Sequence, residues 1–196
     1  MMRTYPPLRR HSLRPGSLLL SPDQRGEYVQ LNSPALAVLT DFRKIPAATI
    51  DTEAPMEAAN RFMIRRSVRL LLVTDGESRV LGLITANDIL GETPIKLISE
   101  LRLRRQDLLV RDVMTPQERL DVLTFDDVEH VEVGHIVSTL RQAQRQHALV
   151  CEQVGDGADR VRGVFSLSQI ARQLGIAIQT SEIARTFAEI EAALEY

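Results

Sequence analysis

One cysteine, Cys151, stands among 196 residues, so no disulfide can close within the chain and the sequence suits a reducing compartment. It lies in an apolar run and reads as a small buried hydrophobe. A dominant charge is also missing. With 24 Lys and Arg against 26 Asp and Glu, the formal net charge is −2, without the basic field of a generic nucleic-acid binder. No apolar run approaches the roughly 20 residues that span a bilayer, and Leu18-Leu19-Leu20 is too short for a signal-peptide core. The default is a soluble cytoplasmic protein with neither nucleic acid nor membrane as partner. Catalytic signatures are lacking too: there is no nucleophile elbow, no paired-cysteine zinc motif and no Gly-rich phosphate loop. Glu129, His130, Glu132 and His135 match no closed zinc spacing, and acidic residues leading into a helix are ordinary. The expectation is a non-enzymatic chain with no metal and no cofactor.

What is present is a repeat. Arg79-Val80-Leu81-Gly82-Leu83-Ile84-Thr85-Ala86-Asn87-Asp88-Ile89 returns as Arg160-Val161-Arg162-Gly163-Val164-Phe165-Ser166-Leu167-Ser168-Gln169-Ile170, at an offset of 160 − 79 = 81. Arg, Val, Gly, a hydroxyl residue and Ile recur in register, the mark of a duplicated supersecondary unit. Glycine permits close approach of backbone or ligand. The hydroxyl falls where a helix begins, beside free amides that attract phosphate. The copies differ at one telling place, Asp88 in the first and Gln169 in the second.

The flanking patterns extend each copy. Asp51 or Thr52 is expected to cap a helix with Pro55 in its first turn and Met56, Ala59 and Met63 on one face. Leu70 to Val73 reads as a buried strand, closed by Asp75-Gly76, and Val80 to Ile84 as the next. In the second copy Val133, Ile136, Val137 and Leu140 make the helical stripe and Ala148 to Cys151 the buried strand. Residues 93–110 read as a connecting helix, and residues 117–123 as extra length before the second unit. Four segments result: an extended Pro- and Arg-rich piece over 1–33, repeat 1 with its connecting helix over 34–109, repeat 2 over 110–175, and a C-terminal helix over 176–196. In that last helix Ser181 is the cap, and Ile183, Phe187, Ile190 and Leu194 form one face. Such a seam fits either its own domain or a second chain, and a homodimer is expected.

The unit order of strand, helix, two strands and helix ends in Gly-hydrophobic-x-Ser/Thr-x-x-Asp. With Asp112-Val113-Met114-Thr115-Pro116 introducing the second copy, it resembles a stand-alone tandem pair of cystathionine β-synthase (CBS) domains, or Bateman module, over about residues 35–175. The resemblance implies an α/β fold of two β-α-β-β-α repeats packed with pseudo-twofold symmetry, with two clefts for adenosyl ligands such as AMP, ADP or ATP. It places Gly82, Thr85 and Asp88 in one cleft, Asp88 accepting from the ribose hydroxyls. Leu123, Thr124 and Phe125 would be that cleft's adenine wall, and Gln146 and His147 would reach phosphate. The second cleft would use Gly163 and Ser166, with Ile45, Pro46 and Ala47 as wall and Arg69 on phosphate. Gln169 offers a single carbonyl acceptor, so ribose binding there is weakened. The implied function is a ligand-sensing regulatory module that signals to an unidentified partner protein. The alternative is a structural dimerisation or interaction module whose clefts bind nothing.

Overall fold

The structure, a computed structural model, describes residues 29–153, 155, 159–176 and 190. The expected N-terminal segment up to residue 28, and the C-terminal helix apart from Ile176 and Ile190, lie outside the described residues. Repeat 1 supplies β2 (Thr49–Ile50), α1 (Met56–Arg66), β3 (Leu70–Thr74), β4 (Val80–Thr85) and α2 (Ala86–Leu90), preceded by β1 (Thr40–Asp41). A linker of α3 (Glu92–Leu101) and α4 (Val110–Val113) leads to β5 (Thr115–Pro116). Repeat 2 follows as β6 (Val122–Thr124), α5 (Phe125–Val128), α6 (Val133–Gln142), β7 (His147–Gln153), β8 (Asp159–Ser166) and α7 (Leu167–Gln173).

Two four-stranded sheets form, in the orders β1-β8-β7-β6 and β2-β3-β4-β5. In each repeat a helix returns the chain to a parallel neighbour (β2 with β3, β6 with β7) and an antiparallel strand follows. The apolar run Leu70 to Val73 is explained by two-sided burial at a period of two. Leu71 and Val73 meet the repeat 1 helices, whereas Leu70 and Leu72 meet Leu149 and Val164 of the opposite sheet. Each repeat thus has its own helix-on-sheet core, and a smaller third core joins the sheets.

Each sheet is completed by a strand from the lead-in of the other repeat. Strand β1 pairs antiparallel with β8, placing Asp41 opposite Gly163, and β5 pairs with β4, placing Pro116 opposite Gly82. This gives the repeated glycines their reason. A Cβ on Gly82 would lie 2.4 Å from the Thr115 carbonyl oxygen, and one on Gly163 would lie 2.6 Å from that of Thr40. The close approach is made by an exchanged strand.

Three local expectations change. Helix α1 starts after Pro55 with no side-chain cap, because Asp51 accepts instead from the Glu53 amide at 2.7 Å and closes a turn. The connecting helix stops at Leu101, where Arg102 takes a left-handed φ of 52°, and the chain turns to bury Leu108 and Val110 in the repeat 1 core. The extra length of repeat 2 lies after β6. Eight residues (125–132) separate β6 from α6, against five (51–55) between β2 and α1, and the surplus holds α5. Between β5 and β6 there are five residues (117–121), fewer than the seven (42–48) between β1 and β2.

Candidate functional site

Two clefts lie between the repeats, and they are unequal. The smaller, about 240 Å³, is lined by Thr85 and Asp88 at the β4–α2 junction, by Leu123, and by Gln146 and His147. The larger, about 1390 Å³, is lined by Ile45, Pro46, Arg69 and Ser166. Gln146 and His147 line both and so separate them. Ligand pockets usually measure about 300–1,000 Å³, so the smaller cleft falls short of a whole nucleotide's site and the larger has room to spare.

In the smaller cleft, Thr85 and Asp88 satisfy each other. The Thr85 amide and hydroxyl both donate to Asp88 Oδ2 at 2.7 Å, and the Asp88 amide donates to Thr85 Oγ1 at 3.3 Å. This reciprocal cap holds the start of α2. The equivalent pair in repeat 2 has no such lock. Ser166 makes no cap bond, and its Oγ lies 3.1 Å from Ser168 Oγ on the wall of the larger cleft. Gln169 lines the same cleft and accepts from the Thr40 hydroxyl at 3.0 Å through Oε1.

The two linings differ in charge. The smaller cleft mixes Asp88 and Asp121 with Arg119 and Arg145. Among the described residues lining the larger cleft there is no aspartate or glutamate, but there are four guanidinium groups, on Arg65, Arg66, Arg69 and Arg172. Arg69 bonds Asn87 Oδ1 at 3.3 Å, and Arg65 lies 5.7 Å from the centre of the Phe62 ring. His147, at the start of β7, has its pKa lowered to about 4 by burial and by the nearby Arg69. It therefore faces both clefts as a neutral imidazole at pH 7.

Several residues expected in the clefts lie elsewhere. Gly82 and Gly163 face the exchanged strands, and neither lines a cleft. Ala47 packs in the core between the sheets, and Ala48 takes its place on the wall of the larger cleft. Thr124 caps α5, accepting from the Asp127 amide at 3.2 Å. Phe125 packs against the repeat 2 core with the Arg162 guanidinium 4.7 Å from its ring centre. Where Leu123, Thr124 and Phe125 were expected to line the smaller cleft, its lining there is Arg119, Leu120, Asp121 and Val122, together with Leu123. The shift follows from the placement of the extra length after β6.

Sequence reasoning also passed over Arg172 and Ser168. The repeat carried two residues further would have aligned Arg172 with Gly91, since 172 − 91 = 81. Among the described residues no three metal-binding side chains converge; His130 meets Glu129 at 3.2 Å, and His135 Nδ1 accepts from the Glu132 amide. No helix of the described residues is long and apolar enough to cross a membrane.

A family model for the CBS domain matches residues 39–94. Among solved structures, an uncharacterized conserved protein from Pyrococcus horikoshii is 19% identical, covering 78% of this chain and 100% of its own, with a TM-score of 0.54. The CBS domain pair of protein MJ0100, in complex with 5′-methylthioadenosine and S-adenosyl-L-methionine, is 19% identical over 73% of this chain and 96% of its own, with a TM-score of 0.50. The CBS-domain containing protein ATU1752 from Agrobacterium tumefaciens is 15% identical over 67% and 88%, with a TM-score of 0.50. A comparison with curated proteins gave no match. The chain therefore carries a CBS domain over residues 39–94, and its two repeats together have the fold of a tandem CBS pair.

Proposed function

We propose that this chain is a ligand-sensing regulatory module that binds an adenine nucleotide between its repeats. The observation that carries the reading is the larger cleft, which joins an apolar wall at Ile45 and Pro46 to four guanidiniums and no carboxylate among its described lining. A flat base suits the first part and phosphates suit the second. The protein MJ0100, with the same fold, holds adenosyl ligands, which supports the ligand class. Ile45, Pro46, Arg69 and Ser166 are the contacts in this cleft. Thr85, Asp88, Leu123, Gln146 and His147 form a second site, which must open before it admits a nucleotide.

Occupancy is read out through assembly. Ile64 and Leu90 line the larger cleft and are 70% and 66% exposed, so a second copy seated there would cover the cleft mouth. A ligand that binds the open and covered forms unequally shifts the balance between them. The rival, a structural module with idle clefts, is favoured by the self-satisfied Thr85–Asp88 pair.

A thermal-shift panel of AMP, ADP, ATP, S-adenosylmethionine, NAD and cyclic dinucleotides tests the proposal. A ligand at 100 times its dissociation constant adds about 2.7 kcal/mol of stability, and Arg69→Ala should reduce that gain. If no member of the panel raises the melting temperature, the structural reading replaces this one.

A further inference from the structure

The wall that α7 gives the larger cleft reverses the polarity of the equivalent positions in the first repeat. Gln169 stands for Asp88 and Arg172 for Gly91, both at the same offset, 169 − 88 = 172 − 91 = 81. A carboxylate becomes a neutral amide, and a position without a side chain becomes a guanidinium. Both new groups sit three residues apart on α7, hence on one face, and both line the larger cleft.

Their bonds define what they can offer. Thr40 donates to Gln169 Oε1 at 3.0 Å, which turns the amide oxygen toward β1 and leaves the NH2 donors for the cleft. Arg172 is tethered through Nε to the Ser168 carbonyl at 3.3 Å, and among the described residues it forms no ion pair. A free ribose diol presents hydroxyl donors that a carboxylate satisfies best. A phosphate monoester is the converse, carrying about −1.5 to −2 charges and three acceptor oxygens. A face of donors without a carboxylate fits the phosphate.

We propose that the larger cleft selects a nucleotide whose ribose carries a phosphate on its 2′ or 3′ oxygen, seated against Gln169 and Arg172. Its 5′-phosphate meets Arg69, and its base meets Ile45 and Pro46. This rests on the nucleotide-binding reading above and narrows it to a class of ligand.

Calorimetry on the full chain with 5′-AMP, adenosine 2′,5′-bisphosphate and adenosine 3′,5′-bisphosphate tests it. At least one bisphosphate should bind roughly tenfold tighter than 5′-AMP, the scale of one charge-assisted hydrogen bond. Arg172→Ala, at an exposed position, should abolish that advantage, and Gln169→Asp should turn the preference toward 5′-AMP; far-UV circular dichroism confirms that each variant folds. Equal or tighter binding of 5′-AMP by the unaltered protein, or a bisphosphate preference that survives Arg172→Ala, overturns the inference and leaves nucleotide binding standing. Failure of all three ligands to bind overturns the inference, and nucleotide binding itself falls only if the whole thermal-shift panel fails as well.

Discussion

Arg162 grips Asp41 by two parallel bonds, Nε to Oδ1 at 2.8 Å and Nη2 to Oδ2 at 2.9 Å, across 121 positions of sequence. The pair clamps exchanged strand β1 to β8, and each side chain is only 11% exposed. Arg162 also donates to Glu152 Oε2 at 3.1 Å, and Glu152 accepts from Arg43 at 2.5 Å. Its guanidinium lies over the Phe125 ring. Arg162→Met should therefore destabilise the fold by about 3 kcal/mol, because it strands a nearly covered carboxylate. Arg162→Lys should recover only part, since an ammonium cannot reproduce the fork. Urea unfolding of both variants checks this; a loss under about 0.5 kcal/mol for Arg162→Met would assign the clamp no role.

The same pair gives a pH signature. The hydrogen bonds from Arg162 lower the Asp41 pKa from 3.8 to about 2. Since the folded value lies below the unfolded one, the stabilisation is present above pH 4 and is lost as pH falls through about 2. The amount is about 2 kcal/mol. His147 adds a limb at higher pH. Its folded pKa of about 4 lies below its ordinary 6.5, so the unfolded chain takes up the proton first and stability declines as pH falls from 6.5 toward 4. His147→Gln should flatten that upper limb and leave the lower one, as read from unfolding free energies measured between pH 7 and about pH 2.

The strand exchange makes the two glycines a matched test. Gly82→Ala and Gly163→Ala each drive a methyl into a backbone oxygen, which cannot rotate away as a side-chain end could. Each should lose about 1–3 kcal/mol, the range of overpacking. Similar melting-temperature losses for the two, in the absence of ligand, would fit a structural role for both. A stable Gly82→Ala protein that has lost nucleotide binding would return Gly82 to the site.

Much of this architecture could be read from the residues, and the failures have physical causes. The in-register Gly82 and Gly163, the run Leu70 to Val73 and the stripe Val133, Ile136, Leu140 announce a duplicated helix-on-sheet unit, because burial imposes their periods. Strands β1 and β5 have only two residues each, too few to show a period, so the exchange and its use of glycine were hidden. Phe125 reads as the apolar end of a cleft wall, yet it belongs to α5 and, with Val128, packs in the repeat 2 core. The cationic lining of the larger cleft joins Arg65, Arg66 and Arg69 to Arg172, more than 100 positions away, and only the packing of the sheets brings them together.

Asp88 separates capping from binding. Asp88→Ala removes the acceptor of two Thr85 bonds at 2.7 Å and should reduce stability by about 1 kcal/mol, a helix-cap loss. If the larger cleft is the principal site, nucleotide affinity there should stay within about twofold, a change under 0.5 kcal/mol. Calorimetry with Asp88→Ala and Arg69→Ala side by side decides the matter. A greater affinity loss from Asp88→Ala would move the principal site to the smaller cleft.

The last prediction concerns assembly. Ile190 is 1% exposed and packs in the repeat 2 core with Val38, Ile136 and Leu140, so one position of the expected C-terminal seam is used within its own chain. Ile190→Ala should then cost about 2–4 kcal/mol of folding stability without changing the association state. The proposed homodimer would instead depend on the exposed apolar face of repeat 1, where Ile64 is 70% and Leu90 66% exposed. In repeat 2 the offset of 81 places the buried Ala171 where repeat 1 has Leu90, so only the first repeat presents this face. A glutamate at either exposed position buries an unpaired charge when the copies meet. Light scattering should show Ile64→Glu and Leu90→Glu shifting the protein toward monomer, with Ile190→Ala unchanged in mass. A dimer that dissociates in Ile190→Ala and persists in both glutamate variants would place the interface on the C-terminal segment after all.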